Sequence, residues 1–176
     1  MTRKSLARPD KKLAAVCGLF CPACMIYIAT HEDPEKLKMI AENRKVTVEE
    51  VKCDGCRAER RTFYCKTCKM YQCAAEKGID FCGECRDYAC KDLKAFQAEL
   101  PHRFELWEAQ ERIKEVGYEQ WCKEQIKHYS CPKCRTLNSA YDFTCRKCGA
   151  SPSCAYNGRH EQETIQMLSK INLSEV

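Results

Sequence analysis

Cysteine is the residue whose number and spacing in this sequence point most directly to chemistry. The 176 residues include 17 cysteines. A C-x2-C turn lets two thiolates bind one metal ion from the same tight loop, and two such turns complete a tetrahedral site. Six such pairs occur, at Cys21/Cys24, Cys53/Cys56, Cys65/Cys68, Cys82/Cys85, Cys131/Cys134 and Cys145/Cys148. The sequence therefore predicts several metal sites whose ligands are cysteines.

The most specific pattern lies in the C-terminal part of the chain. Cys131, Cys134, Cys145 and Cys148 form C-x2-C-x10-C-x2-C, which is typical of a zinc ribbon. Gly149 permits a tight turn after the second pair, and Arg135 stands at the equivalent place after the first. Iron in a rubredoxin-like site is the alternative, because four thiolates bind either metal. Cys154 and His160 follow, but the ribbon is complete without them, so their role stays open.

The densest run of cysteines lies between Cys53 and Cys90, where 8 of the 17 occur. Two parts of it, Cys65–Cys73 and Cys82–Cys90, repeat an aromatic-C-x2-C-basic-x-Tyr-x-C pattern, which suggests one metal-binding unit used twice. If sites fill in chain order, the two ligand sets are Cys53/Cys56/Cys65/Cys68 and Cys73/Cys82/Cys85/Cys90. A cross-braced arrangement that pairs alternate turns is the other option.

A triplet of cysteines precedes this run. Cys17, Cys21 and Cys24 are spaced C-x3-C-x2-C, which predicts three ligands of a zinc ion or an iron-sulfur cluster whose fourth ligand lies elsewhere. Enzymes that cleave S-adenosylmethionine to radicals use the same spacing to leave one iron open. Such an enzyme is a remote alternative here, because the chain is too short for the barrel that this chemistry requires.

Composition favours metal over disulfide bonds as the partner of the cysteines. The apolar fraction of 44% includes the cysteines themselves, so the conventional core is small. The apolar run Leu13–Val16 is too short for a secretory signal, and no stretch is apolar enough to span a membrane. We therefore expect a cytoplasmic protein in a reducing compartment. The formal charge of +5 counts thiols as neutral, and three tetrathiolate sites would bring it to about −1, so it does not indicate nucleic acid.

The remaining sequence predicts a mainly α-helical protein held together by metal. Helix starts are expected at Asp33-Pro34 and at Thr47, which forms a capping-box pattern with Glu50. Further helices are predicted over 72–77 (closed by a glycine), 87–100, 104–116 (stopped by Gly117), 118–129 and 161–173. Cys122 falls on the apolar stripe of one of them, which indicates a buried core thiol.

These features divide the chain into five segments. They are a basic leader (1–16), a cysteine-rich metal-binding domain with several knuckles (17–92), bridging helices (93–129), a zinc ribbon with short β-strands (130–156), and a C-terminal helix or tail (157–176). The predicted metal ligands are Cys17, Cys21, Cys24, Cys53, Cys56, Cys65, Cys68, Cys73, Cys82, Cys85, Cys90, Cys131, Cys134, Cys145 and Cys148.

The first half of the chain resembles a known family. The order C-G-L-F-C-P-A-C, K-C-D-G-C-R, C-K-T-C-K-M-Y-Q-C and F-C-G-E-C-R-D-Y-A-C, from about Cys17 to Leu93, is similar to the uncharacterised domain of unknown function 3795. The resemblance implies a metal-rich cytosolic protein. Because the family is seen largely in anaerobes, it also keeps an iron-sulfur cluster open as an alternative to zinc.

The function that these patterns favour is that of a non-enzymatic zinc protein. Two to four zinc ions would hold an interaction or regulatory surface for another protein. RNA is a second partner class, because Arg57, Arg60, Arg61, Lys66 and Lys69 alternate with aromatic residues. The same cations would also offset the charge of thiolate sites. An iron-sulfur redox or maturation protein is the alternative function, and no small-molecule substrate is indicated.

Overall fold

Helices account for the regular structure of this protein. The computed structural model describes residues 10–171. Its α-helices are α1 (Met25–Glu32), α2 (Pro34–Arg44), α3 (Val48–Val51), α4 (Phe63–Lys66), α5 (Lys69–Lys77), α6 (Lys91–Glu99), α7 (Leu106–Tyr129) and α8 (Ala155–Lys170). Short 3-10 helices occupy Lys11–Leu13, Cys21–Ala23, Cys82–Glu84 and Pro101–Arg103. Residues 1–9 of the predicted leader and 172–176 of the predicted tail lie outside the described residues. No helix between residues 10 and 171 is both long and apolar enough to cross a membrane.

Three predicted helix boundaries in the first half are confirmed by their capping interactions, whereas α5 begins at Lys69 rather than at residue 72 and α6 at Lys91 rather than at residue 87. The Asp33 carboxylate accepts a hydrogen bond of 3.0 Å from the Lys36 backbone N–H at the start of α2. Thr47 and Glu50 form the expected capping box before α3. Gly78 ends α5 with φ of 64°, a left-handed conformation that glycine adopts without steric cost.

Helix α7 is a hairpin rather than a straight rod. Gly117 has φ of 77° and ψ of 158°, so helical geometry is interrupted there, as the sequence predicts. Residues twelve apart in a straight helix lie about 18 Å apart. Here the Arg112 Nη2 and Glu124 Oε1 atoms are 2.8 Å apart, and the His128 Nε2 and Glu105 Oε2 atoms are 2.7 Å apart. The two halves of α7 therefore lie against each other.

The predicted β-strands of the C-terminal ribbon are wrong. Residues 10–171 contain no strand, only two isolated bridges, Ala14–Phe20 and Ser130–Leu137. The cysteine turns make their hydrogen bonds locally instead: the Cys131 N–H donates to the Thr136 carbonyl at 2.8 Å. The segment is a pair of cysteine-bearing turns without a sheet.

A single apolar cluster connects the front of the chain to its end. Phe20 contacts Trp121 edge-on with 5.9 Å between ring centroids, and Tyr129 stacks on Tyr156 at 5.2 Å. All four side chains are buried in the same cluster. The N-terminal segment, the α7 hairpin and α8 therefore share a core.

Candidate metal centres

The four C-terminal cysteines converge on one point. The potential ligand atoms of Cys131, Cys134, Cys145 and Cys148 all lie within 4.8 Å of one another. The sulfurs of Cys131 and Cys148 are 3.6 Å apart, and those of Cys134 and Cys145 are 3.5 Å apart. Four sulfurs about 2.3 Å from a central zinc ion form a tetrahedron with edges of about 3.8 Å. The group is therefore of the right size to hold one metal ion.

The two turns that carry these cysteines have the same backbone design. The Arg135 N–H donates to the Cys131 carbonyl at 3.0 Å, and the Gly149 N–H donates to the Cys145 carbonyl at 2.9 Å. Both closing residues are left-handed, with φ of 63° for Arg135 and 70° for Gly149. Glycine adopts this left-handed conformation without steric cost, whereas Arg135, at the equivalent position of the first turn, adopts it with strain.

Hydrogen bonds favour the thiolate at two of the four sulfurs. The Thr136 hydroxyl lies 3.3 Å from the Cys134 sulfur, and it lowers the Cys134 pKa to about 6 together with the Thr136 backbone N–H. Burial acts to raise the pKa of Cys145, but the N–H groups of Cys148 and Lys147 outweigh it, and the pKa is lowered. At Cys148 the Ala150 N–H acts to lower the pKa, but the hydrogen bond with Cys134 and burial outweigh it, and the pKa is raised. Several thiolates this close together repel one another. A divalent cation would offset that repulsion.

A buried asparagine supports the centre, and no sequence pattern indicated it. Asn138 is fully buried, and its Nδ2 donates to the carbonyls of Thr136 at 2.9 Å and Ser153 at 3.1 Å. The same nitrogen lies 3.8 Å from the Cys145 sulfur, and Oδ1 accepts from the Arg146 N–H at 3.1 Å. Asn138 thus ties together the two turns and the segment that follows them. Asn138 lies in the x10 spacer between the two cysteine pairs, where the ribbon pattern specifies no residue type.

The residues whose roles were open have other partners. The Cys154 sulfur lies 3.6 Å from the Ser153 hydroxyl, and His160 Nε2 lies 3.0 Å from the Glu105 carboxylate. Neither belongs to the four-cysteine group. Cys122 is 2% exposed within the largest apolar cluster, where burial raises its pKa to about 11, which confirms a core thiol.

In the front half, four cysteines surround one small cavity. Cys73, Cys82, Cys85 and Cys90 all line a space of about 40 Å³ between α5 and α6. The Lys77 Nζ donates to the Cys85 sulfur at 3.2 Å. These four are the second set predicted from filling in chain order.

The other front cysteines make contacts that cross between C-x2-C pairs. Cys53 hydrogen-bonds with Cys65, which lowers the Cys53 pKa to about 6. The Cys56 N–H donates to the Cys21 sulfur at 3.3 Å. Burial and then the nearby Cys56 thiol raise the pKa of Cys17. The Cys53–Cys65 contact joins two members of the first set predicted from filling in chain order, whereas the contact of Cys56 with Cys21 reaches outside that set.

The N-terminal triplet lies among other front cysteines. Cys17 has the thiols of Cys56 and Cys68 as neighbours, Cys21 has those of Cys56 and Cys24, and Cys24 has that of Cys53. Within residues 10–171, the C-terminal group is the one set of three or more potential ligands whose atoms all lie within 4.8 Å of one another. The assignment of Cys17, Cys21 and Cys24 to one metal site therefore stays a prediction.

A larger cleft of about 390 Å³ lies between the α7 hairpin and α8, and ion pairs form its walls. The Glu105 carboxylate binds His128 at 2.7 Å and His160 at 3.0 Å. Burial acts to raise the Glu105 pKa, but these two histidines outweigh it, so the pKa is lowered. Arg159 of α8 forms an ion pair with Glu108 of α7, with 2.7 Å between Nη2 and Oε1. The pairs hold α8 to the first half of the hairpin.

Comparison with known proteins bears on the front half alone. No curated protein and no solved structure matches the chain. Residues 13–95 match a family described as "Protein of unknown function (DUF3795)", which confirms the resemblance over just under half of the chain. The match ends before the four-cysteine centre at residues 131–148. The cysteine-rich front of this protein is therefore similar to the DUF3795 family.

Proposed function

We propose that this protein is a cytoplasmic zinc-binding module whose metal sites fix a surface for another protein. One observation carries the proposal: the ligand atoms of Cys131, Cys134, Cys145 and Cys148 lie within 4.8 Å of one another. A closed set of four cysteines is the usual ligand set of a structural zinc ion. Because such a set leaves no open coordination position, its role is to stabilise the fold rather than to activate a substrate.

A protein partner is favoured over RNA because the arginines near the second cysteine pair make contacts within the protein. Arg60 forms two hydrogen bonds with the Asp54 carboxylate, at 2.8 Å and 2.7 Å. Arg57 donates to the Ala14 carbonyl at 3.1 Å, and the Arg61 guanidinium lies 4.1 Å from the centre of the Tyr71 ring. These three cations are engaged within the protein rather than presented to phosphates, whereas Lys66 and Lys69 are exposed.

Exposed apolar side chains are available for such a partner. Among the described residues, Met39, Tyr64 and Ile165 are large apolar side chains that are each about half exposed. Tyr64 stacks near Phe63, with 4.1 Å between their ring centroids. Aromatic residues and methionine are enriched where proteins bind one another.

Metal analysis of protein purified without oxygen tests the proposal. We expect a colourless protein with two to four zinc ions per chain that unfolds when a strong chelator removes them. Protein without stoichiometric metal would contradict the proposal. Brown protein with equal amounts of iron and sulfide would instead support the iron-sulfur alternative.

A further inference from the structure

We propose that Cys73, Cys82, Cys85 and Cys90 bind a second thiophilic divalent metal ion, such as zinc, in the cavity they surround, and that Lys77 stabilises this site from outside. The inference rests on the proposed function and adds to it a defined second site. It also gives a role to a lysine that belongs to no metal-binding motif.

The fold brings these four cysteines together from three elements. Cys73 lies on α5, Cys82 begins the 3-10 helix Cys82–Glu84, and Cys90 immediately precedes α6. Their common cavity of about 40 Å³ is close to the volume of one water molecule, about 30 Å³. The space has room for a single metal ion, and it is open to solvent on the side of the exposed Cys73. The sulfurs lie farther apart than those of the C-terminal group, so binding requires them to move inward.

The surroundings of Cys85 are those of a metal-bound thiolate. Lys77 Nζ lies 3.2 Å from the Cys85 sulfur and 2.9 Å from the Asp87 carboxylate. The Asp87 backbone N–H donates to the same sulfur at 3.4 Å. Charge-assisted donors of this kind hold a ligating atom in place and offset the charge of a tetrathiolate site.

The opposite side of the cavity is apolar. Met70 and Ala74 of α5 and Leu93 of α6 line it, and all three are buried. A cation bound by the four sulfurs would offset the charge of thiolates that lie next to these apolar side chains.

Thiol alkylation of the unaltered full-length chain tests the second site directly. Cys73 and Cys148 are both exposed, so neither is protected by burial. Zinc-loaded and chelator-treated protein would be treated with N-ethylmaleimide, and the rate at each cysteine would be measured by mass spectrometry. We expect zinc to protect both residues. If Cys148 is protected while Cys73 reacts equally fast in both samples, the second site is refuted and the proposed function survives. If neither is protected, both fail.

Variants assign the ligands. Cys90→Ser should lower the zinc content by one ion and expose Cys73 to alkylation while Cys148 stays protected. Cys122→Ala is the matched control, because Cys122 is a buried core thiol, and it should leave the zinc content unchanged. Lys77→Gln should weaken zinc binding at this site by about 10–100-fold, as measured by competition with a chelating dye. An unchanged affinity would remove Lys77 from the proposal.

Discussion

The two halves of this molecule use cysteine in different ways. In the C-terminal centre, four potential ligands from residues 131–148 lie within 4.8 Å of one another, and their turns are closed by their own backbone hydrogen bonds. In the front half, eleven cysteines from Cys17 to Cys90 are distributed over helix starts, turns and an apolar cluster. The C-terminal centre is organised by local sequence, whereas the front sites depend on how helices pack. Perturbing the packing should therefore affect the front much more than the end.

The largest effect is expected from removing a cysteine in the packed front half. Cys68 precedes α5 and neighbours Cys17 and Cys56. Cys68→Ser should disorder residues 17–92, because a structural zinc site contributes on the order of 10 kcal/mol, comparable to the stability of a whole domain. Hydrogen exchange by mass spectrometry should show loss of protection there, with residues 131–150 still protected. Equal loss in both regions would show that the halves do not fold separately.

A smaller effect, confined to the front half, is expected at Gln110. This fully buried side chain accepts from the Gly83 N–H at 2.7 Å and donates to the Val16 carbonyl at 3.1 Å. Gln110→Leu leaves the Gly83 N–H unpaired, at about 1–3 kcal/mol, whereas the Val16 carbonyl still accepts from the Cys82 N–H at 2.8 Å. Urea denaturation should show this loss while the C-terminal zinc ion is retained. Gln120→Leu, on the exposed side of the same hairpin, is the control and should change stability little.

A pH-dependent effect on stability is expected at Glu105, which holds α8 to the α7 hairpin through His160. The Glu105 pKa is lowered by its histidine partners, so the stability it provides is present above the ordinary glutamate pKa of about 4.3 and is lost as the pH falls through the folded-state value. Glu105→Gln should cost about 1.5–3 kcal/mol at pH 7. The difference from the unaltered protein should stay constant down to about pH 4 and shrink below it in denaturation curves. A difference that is constant with pH would show that the carboxylate charge does not contribute.

The smallest effect compares the two turns of the C-terminal centre. Arg135 adopts the left-handed conformation that Gly149 provides in the other turn. Arg135→Gly should stabilise the centre by about 0.5–1 kcal/mol, because the strain of a side chain at positive φ is removed. Thermal melting of the zinc-bound protein measures this effect. A destabilised variant would show that the arginine side chain contributes more than its backbone strain costs.

Local patterns in the sequence predicted the local structure well. The capping residues Asp33 and Thr47, the stop at Gly78 and the break at Gly117 are all found as expected, because each acts within one turn of its own position. The C-terminal ligand set was predicted for the same reason, since its spacing reflects two short turns. The predicted strands were wrong because the backbone groups of those turns are hydrogen-bonded locally, without a neighbouring strand.

What the sequence left open depends on tertiary contacts. The position of Cys56 beside Cys21 and the burial of Gln110 arise from segments that are distant in the chain. No periodicity or spacing encodes them. The closing of α7 into a hairpin is similar: Gly117 predicts an interruption, but the direction of the turn follows from the packing of Trp121 and Ile113 in one cluster.

Counting zinc ions in the full-length chain and in Cys145→Ser tests the central claim most directly. Native mass spectrometry of protein purified without oxygen gives the number of ions bound to each. If Cys131, Cys134, Cys145 and Cys148 hold one ion, the variant should carry one zinc ion fewer than the unaltered chain and keep the rest. An equal count in the two proteins would contradict the claim that these four sulfurs share a metal ion.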